Sequence, residues 1–129
     1  MGQPFVYIGT HKIKAGKLEE FKKMWPGHVE LVETNEPRLI AFHAFVDEEG
    51  SKVAIVQVHP DSASMRTHMQ VISEALESVS EWLEETESEL IYGEPYEGMV
   101  ELFQQYSPGT PISVFPVHEG GFTRTNAAH

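Results

Sequence analysis

Two neighbouring runs of the sequence, residues 39–46 and 53–58, are apolar at odd and even positions alike. A strand whose sheet has one face in water alternates apolar with polar side chains, so these runs demand a sheet covered on both faces. Between them, Asp47-Glu48-Glu49-Gly50-Ser51 is a polar connection with a glycine, which suits a hairpin. Strands over residues 38–46 and 52–59 are therefore predicted as antiparallel neighbours.

The other elements arrange themselves around that hairpin. Residues 5–13 are rich in aromatic and β-branched side chains and run into Ala15-Gly16, a strand ending in a turn. Leu18, Phe21, Trp25, His28 and Val32 recur three and four apart, the spacing of one helix face. Pro26-Gly27 is expected to interrupt or kink that helix, and Asn35-Glu36-Pro37 to end it. A second helix is expected to begin at Asp61 or Ser62, either of which can cap free N–H groups. Met65, Met69, Ile72, Leu76, Val79 and Leu83 give it the most regular stripe in the chain. Residues 90–92 supply a short fourth strand.

Strand, helix, strand, strand, helix, strand predicts an α+β fold of ferredoxin-like type, a split βαβ with an antiparallel sheet. The expected organisation is a single domain over residues 1–129 with its core in 5–93. A C-terminal extension over 94–122 holds a short helix at 98–106 and a strand at 112–117, and residues 123–129 form a loose tail. Two helices cover only one face of such a sheet. The second face calls for another copy of the same sheet, giving a homodimer whose two sheets close around a pocket. The alternative cover is the chain's own residues 98–118.

With 129 residues, 40% of them apolar, the chain can bury one core. Its 20 Asp plus Glu against 9 Lys plus Arg give a net charge of −11, which repels phosphate backbones and anionic headgroups. Nucleic acid and membrane are excluded as partners on that ground. Between Arg66 and Arg124 there is no Lys or Arg, and the many glutamates there read as a solvated acidic helix face. The absence of cysteine removes disulfides, zinc–thiolate sites and thiol nucleophiles. The first ten residues lack the basic and long apolar segments of a leader, and no run approaches the ~20 apolar residues of a membrane span, so a cytoplasmic location is expected.

Three features together resemble the antibiotic biosynthesis monooxygenase family of dimeric α+β barrels, over about residues 5–93. They are Tyr7-Ile8-Gly9-Thr10, the charged first helix, and the run from Val53 through His59-Pro60-Asp61 into Arg66-Thr67-His68-Met69. The segment His118-Glu119-Gly120-Gly121-Phe122-Thr123-Arg124 is similar to the C-terminal addition of uncharacterised bacterial members. The resemblance implies a dimer and a histidine facing the pocket from the second helix, at the place of His68. Cofactor-independent relatives oxidise phenolic or quinol-like substrates with dioxygen. They need an apolar pocket, a base and donors for the resulting anion, but no metal, flavin or other cofactor. A related branch degrades haem with an asparagine on the first strand and a tryptophan and histidine on the second helix. The corresponding positions here hold Gly9, His68 and Ser78, so that chemistry is set aside.

Seven histidines occur in the chain, and imidazole is the side chain best suited to exchange protons near neutral pH. By parity Tyr7 and His11 share one side of the first strand, His43 lies with Leu39, Ala41 and Phe45, and Gln57 lies with Ile55 and His59. If those sides face the pocket, Tyr7, His43, Gln57 and His68 converge. The expected catalytic group is His68 as base or anion stabiliser, with Tyr7 and His43 orienting the substrate, and Gln57, His59 and Trp25 are substrate-binding candidates. Each has a plainer reading: His43 as a hydrogen-bonded core histidine, His59 as a strand-end residue, Trp25 as helix packing, His11 and His118 as surface residues. A metal site is not expected, because the histidines form no His-x-His or i,i+4 pair. The function this implies is a cofactor-independent monooxygenase acting on a small phenol or quinol. The alternative is a non-catalytic dimer that binds a small hydrophobic or aromatic molecule.

Overall fold

β1 (Phe5–Ile13) buries Phe5, Tyr7 and Gly9 in strict alternation and forms the middle of a five-stranded sheet. A computed structural model describes residues 3–124, apart from the side chain of Glu77. After β1 come α1 (Leu18–Asn35), the hairpin of β2 (Ala41–Val46) and β3 (Lys52–His59), α2 (Ser62–Ile72), the short α3 (Ala75–Val79), β4 (Leu83–Tyr92), α4 (Met99–Tyr106) and β5 (Ile112–Phe115). The strand order is β2-β3-β1-β4-β5. The first four strands pair antiparallel in the ferredoxin-like arrangement, and β5 joins β4 in parallel. A parallel neighbour requires a crossover connection, which α4 supplies.

α1 carries Glu19 and Glu20 in its first turn, where negative charge suits the helix dipole, and buries Phe21 and Val32. It runs through Pro26 without ending, contrary to the expected interruption. The proline is exposed and its missing N–H removes a single hydrogen bond, which the packed face of the helix outweighs. The helix stops at Glu36 because Pro37 disfavours α backbone in the residue before it, and Glu36 adopts φ −130°, ψ 72°. Asp61 caps α2, its Oδ1 accepting the Ser64 N–H at 3.0 Å.

The long second helix is not formed. α2 ends at Ile72, α3 is a separate turn, and Leu83 opens a ten-residue β4 rather than closing a helical stripe. Ser73 and Ser78 bond their hydroxyls to the carbonyls of Gln70 and Ala75, at 3.0 and 2.9 Å, a local alternative that favours breaks and turns. Pairing with β1 then outweighs the poor strand propensity of glutamate. Glu84, Glu85, Glu87 and Glu89 accordingly lie on a strand, not on a solvated helix face, and Glu89 is buried. β2 begins at Ala41 and β5 ends at Phe115, both shorter than expected. Residues 116–124 are exposed and irregular, and positions 125–129 of the expected tail lie outside the described residues.

The packed helices share one face of the sheet. There Phe5, Tyr7 and Ile91 meet Met65 of α2 and Met99 and Phe103 of α4, while Ile13, Val53 and Leu83 meet Phe21 of α1. On the opposite face Val6 and Ile8 stand beside Val58 and Val56, flanked by Ala41, His43 and Phe45 on β2 and by Leu90 and Tyr92 on β4. α4 packs on the helix side, so it leaves this second face open, with Phe45 61% exposed.

Candidate active site

Between the sheet and its helices lies a cavity of about 640 Å³. Its walls include Phe42 and Ile55 from the sheet, Met65 and Met69 from α2, Phe103 from α4, and the loop 107–111. This cavity belongs to the helix-covered face of one chain, not to the face where a second sheet is expected. Strand parity decides the matter: Phe42 pairs with Gln57 and Tyr7 pairs with Gln57, so all three point under the helices.

His68 is on that wall, 1% exposed, on the helix started by the Asp61 cap. Its Nδ1 lies 2.9 and 3.1 Å from the two carboxylate oxygens of Glu36, itself 4% exposed. The proline-imposed backbone at Glu36 ends α1 where its carboxylate can turn inward to α2. A carboxylate accepts, so Nδ1–H donates and the neutral ring keeps Nε2 as its acceptor. Both described hydrogen bonds of the ring run through Nδ1, which leaves Nε2 uncommitted to them. Phe42 packs against the imidazole with ring centres 5.4 Å apart. Glu36 was not foreseen as a functional residue, because before Pro37 it carries only a helix-stop signal.

Tyr7 stands on the same wall. Its hydroxyl donates to Glu89 Oε1 at 2.8 Å, and burial, followed by the neighbouring carboxylate, raises the phenol well above its usual range. Gly9 makes this possible. It pairs with Glu89 across β1 and β4, and a β carbon at Gly9 would lie 2.4 Å from the Tyr7 hydroxyl. Only a residue without a side chain lets the phenol lie along the strand and reach the carboxylate. Glu89 shares the inward parity of Ile91, and a fourth strand begun one residue earlier would include it.

The other candidates divide. Gln57 lines the cavity, but His59 does not: it is fully buried beside it, its Nε2–H donating to Gln57 Oε1 at 2.9 Å and its Nδ1 accepting from Ser64 Oγ at 2.7 Å. Burial, then the nearby His68, pushes the His59 imidazole down to about 3. Trp25 is one shell removed, stacked between Phe21 and Phe42, and does not line the cavity. His43 is exposed on the open face beside Val56, so it does not join Tyr7 and His68. It does share its side with Ala41 and Phe45, as its parity predicts, but that side is the face without helices. His28 lines the cavity, its imidazole lowered first by burial. His11, expected at the surface, also lines it, bonded to Thr86 Oγ1 at 3.0 Å and lowered by burial to about 4. His118 is exposed. Among the described residues, no cluster of three or more His, Asp or Glu is placed to hold a metal ion.

A ferredoxin-like α+β protein with a buried histidine–carboxylate pair on the wall of a largely apolar cavity is the class that fold and site define. No family profile and no curated protein matches the chain in sequence. Solved structures do match in fold. MupZ from Pseudomonas fluorescens superposes with a TM-score of 0.74 at 17% identity, covering 100% of this chain and 95% of that one. A provisional antibiotic biosynthesis monooxygenase from Nitrosomonas europaea gives 0.61 at 20% identity, over 75% of this chain and 95% of its own. Another from Caulobacter crescentus gives 0.60 at 15%, over 70% and 86%. The chain therefore has the fold of the antibiotic biosynthesis monooxygenase-like proteins, the family its sequence resembles. No helix is long and apolar enough to cross a membrane among the described residues.

Proposed function

We propose that the cavity binds a small phenolic or quinol-like aromatic and that His68 removes its hydroxyl proton, initiating cofactor-independent oxidation by dioxygen. The observation that carries this reading is the His68–Glu36 pair. Glu36 fixes the tautomer and stabilises the imidazolium, which leaves Nε2 as the proton acceptor. Phe42, Ile55, Met65, Met69 and Phe103 supply an apolar wall for the ring, and the volume suits a drug-sized ligand.

The chemistry balances without an added reductant. Proton removal leaves an electron-rich phenolate, whose para carbon bonds to dioxygen. The ring carbon then loses its hydrogen and the O–O bond breaks. One oxygen atom remains as a carbonyl and the other departs as water with the two hydrogens, so phenol plus dioxygen gives quinone plus water. All four electrons come from the ring.

Oxygen uptake by the purified protein, measured over a panel of phenols and quinols without metal or flavin, tests the proposal. Uptake that falls by about 10²–10⁴-fold in His68→Ala is expected, the usual contribution of a general base. Glu36→Gln should also lose activity. Tight binding with no uptake by any compound would overturn the oxidation and leave a non-catalytic binding protein.

The same fold supports a second copy as partner. The open face is apolar across β2, β3, β1 and β4, and a self-complementary sheet-to-sheet contact is the simplest cover for it. The cavity of each chain would remain outside that interface.

A further inference from the structure

One polar group on the cavity wall has no role in the proton transfer. Glu89 is 5% exposed, and its Oε1 takes the Tyr7 hydroxyl, but Oε2 is sealed from water and has no hydrogen-bond partner among the described residues. A carboxylate oxygen in that position has given up its hydration with nothing in return, which is uncommon in a folded protein. No salt bridge to it is found among the described residues. Lys12, on the same wall, is bonded to Glu85 at 2.8 Å, and burial raises the Glu89 carboxyl above its ordinary range.

The position is built rather than incidental. Glu89 sits on β4 opposite Gly9 of the central strand, and the hollow over Gly9 holds Tyr7 in place to anchor one carboxylate oxygen. Glu89 lines the cavity, and the torsion about a terminal carboxylate is soft, so Oε2 can reorient towards a bound donor without a backbone shift.

We propose that Glu89 is a second recognition point in the cavity, its Oε2 accepting a hydrogen bond from a hydroxyl or amine of the ligand. The inference rests on the reading of His68 as acceptor for the first hydroxyl, and it narrows the substrate to an aromatic with two donors, a diol or an aminophenol. Glu84, Glu85 and Glu87 on the same wall disfavour ligands that carry a carboxylate or phosphate.

Equilibrium binding under nitrogen, followed by tryptophan fluorescence, tests this with three probes: a naphthol, the naphthalenediol with a second hydroxyl on the other ring, and the methyl ether of that diol. The diol is expected to bind the unaltered protein about tenfold tighter than either of the others. In Glu89→Gln the amide oxygen can still take the Tyr7 hydroxyl while its NH₂ replaces Oε2. The diol should then lose its advantage and the ether should gain. Tyr7→Phe keeps the carboxylate and should retain the preference for the diol, which separates loss of the acceptor from damage to the wall. Equal affinities, no binding of any probe, or a diol preference unchanged in Glu89→Gln would overturn the proposal. Oxygen uptake plays no part in the measurement, so a protein that prefers the diol but never oxidises it refutes the oxidation alone.

Discussion

The two faces of the sheet differ in an unusual sense. The covered face holds Tyr7, Gln57, His59 and Glu89 among its apolar residues, whereas the open face presents Val6, Ile8, Val56, Val58 and Leu90. Sheets with one wet face normally place polar groups outward and apolar groups inward. Here the polar groups lie where water is excluded and are tied to one another, Gln57 to His59 to Ser64 and Tyr7 to Glu89. Buried polar groups must be satisfied, so such an arrangement persists where the groups hold each other or a ligand. Val6, Ile8, Val56, Val58 and Leu90, by contrast, offer no polar group to satisfy and ask only for cover. On the proposed reading, chemistry and association fall on opposite sides of the same strands.

The sharpest way to break that contrast is to remove a histidine from each face. His68→Ala should lower oxygen uptake by about 10²–10⁴-fold, while His43→Ala leaves it unchanged. Equal losses would mean that the open face takes part in the reaction. Next in size, Ile91→Ala removes a fully buried side chain from the covered face and should cost about 2–5 kcal/mol in urea unfolding. Leu76→Ala should cost less, because that side chain is half-buried on the short α3 instead of lying on a long helical stripe.

On the other face, Ile8→Asp should convert a dimer into a monomer in sedimentation, with the helix-side core intact. An unaltered protein that sediments as a monomer at micromolar concentration would remove the assigned role of that face. The smallest effect is a gradual one with pH. His59 and His11 are held neutral in the fold, down to about 3 and about 4 against 6.5. Unfolded chains bind those protons first, so the stability is fully present above about 6.5 and is lost as the pH falls towards the folded values. Each histidine contributes at most about 1.4 kcal/mol per pH unit, and thermal melts from neutral to mildly acidic pH should show the decline. A flat profile would mean that these imidazoles are solvated.

Much of the fold was legible because its signals are local. The aromatic and β-branched run of β1, the polar turn between β2 and β3, and the Asp61 cap each specify their element within a few residues. The stripe from Met65 to Leu83 misled because spacing of three and four continues through a segment whose serines break the helix and whose later residues pair with β1, a contact made far away in sequence. The candidate site was legible only in part for the same reason. His68 and Tyr7 announce themselves by residue type and place. Glu36 acts through a residue 32 positions away, and Glu89 through one 82 positions away, so nothing beside them in the chain marks them out. His43 shows the limit of parity, which sorts residues into two sides but does not say which side the helices take.

The α4–β5 extension has a consequence for how such a protein can diversify. The loop 107–111 between its helix and strand forms part of the cavity wall, and Thr110 and Ser107 tie it to Thr86 of β4 at 2.9 and 3.1 Å. The histidine pair, in contrast, is contributed entirely by residues of the central domain. Changes in this appended loop can therefore reshape the cavity while the His68–Glu36 pair stays as it is, much as a lock's wards can be recut without replacing its bolt.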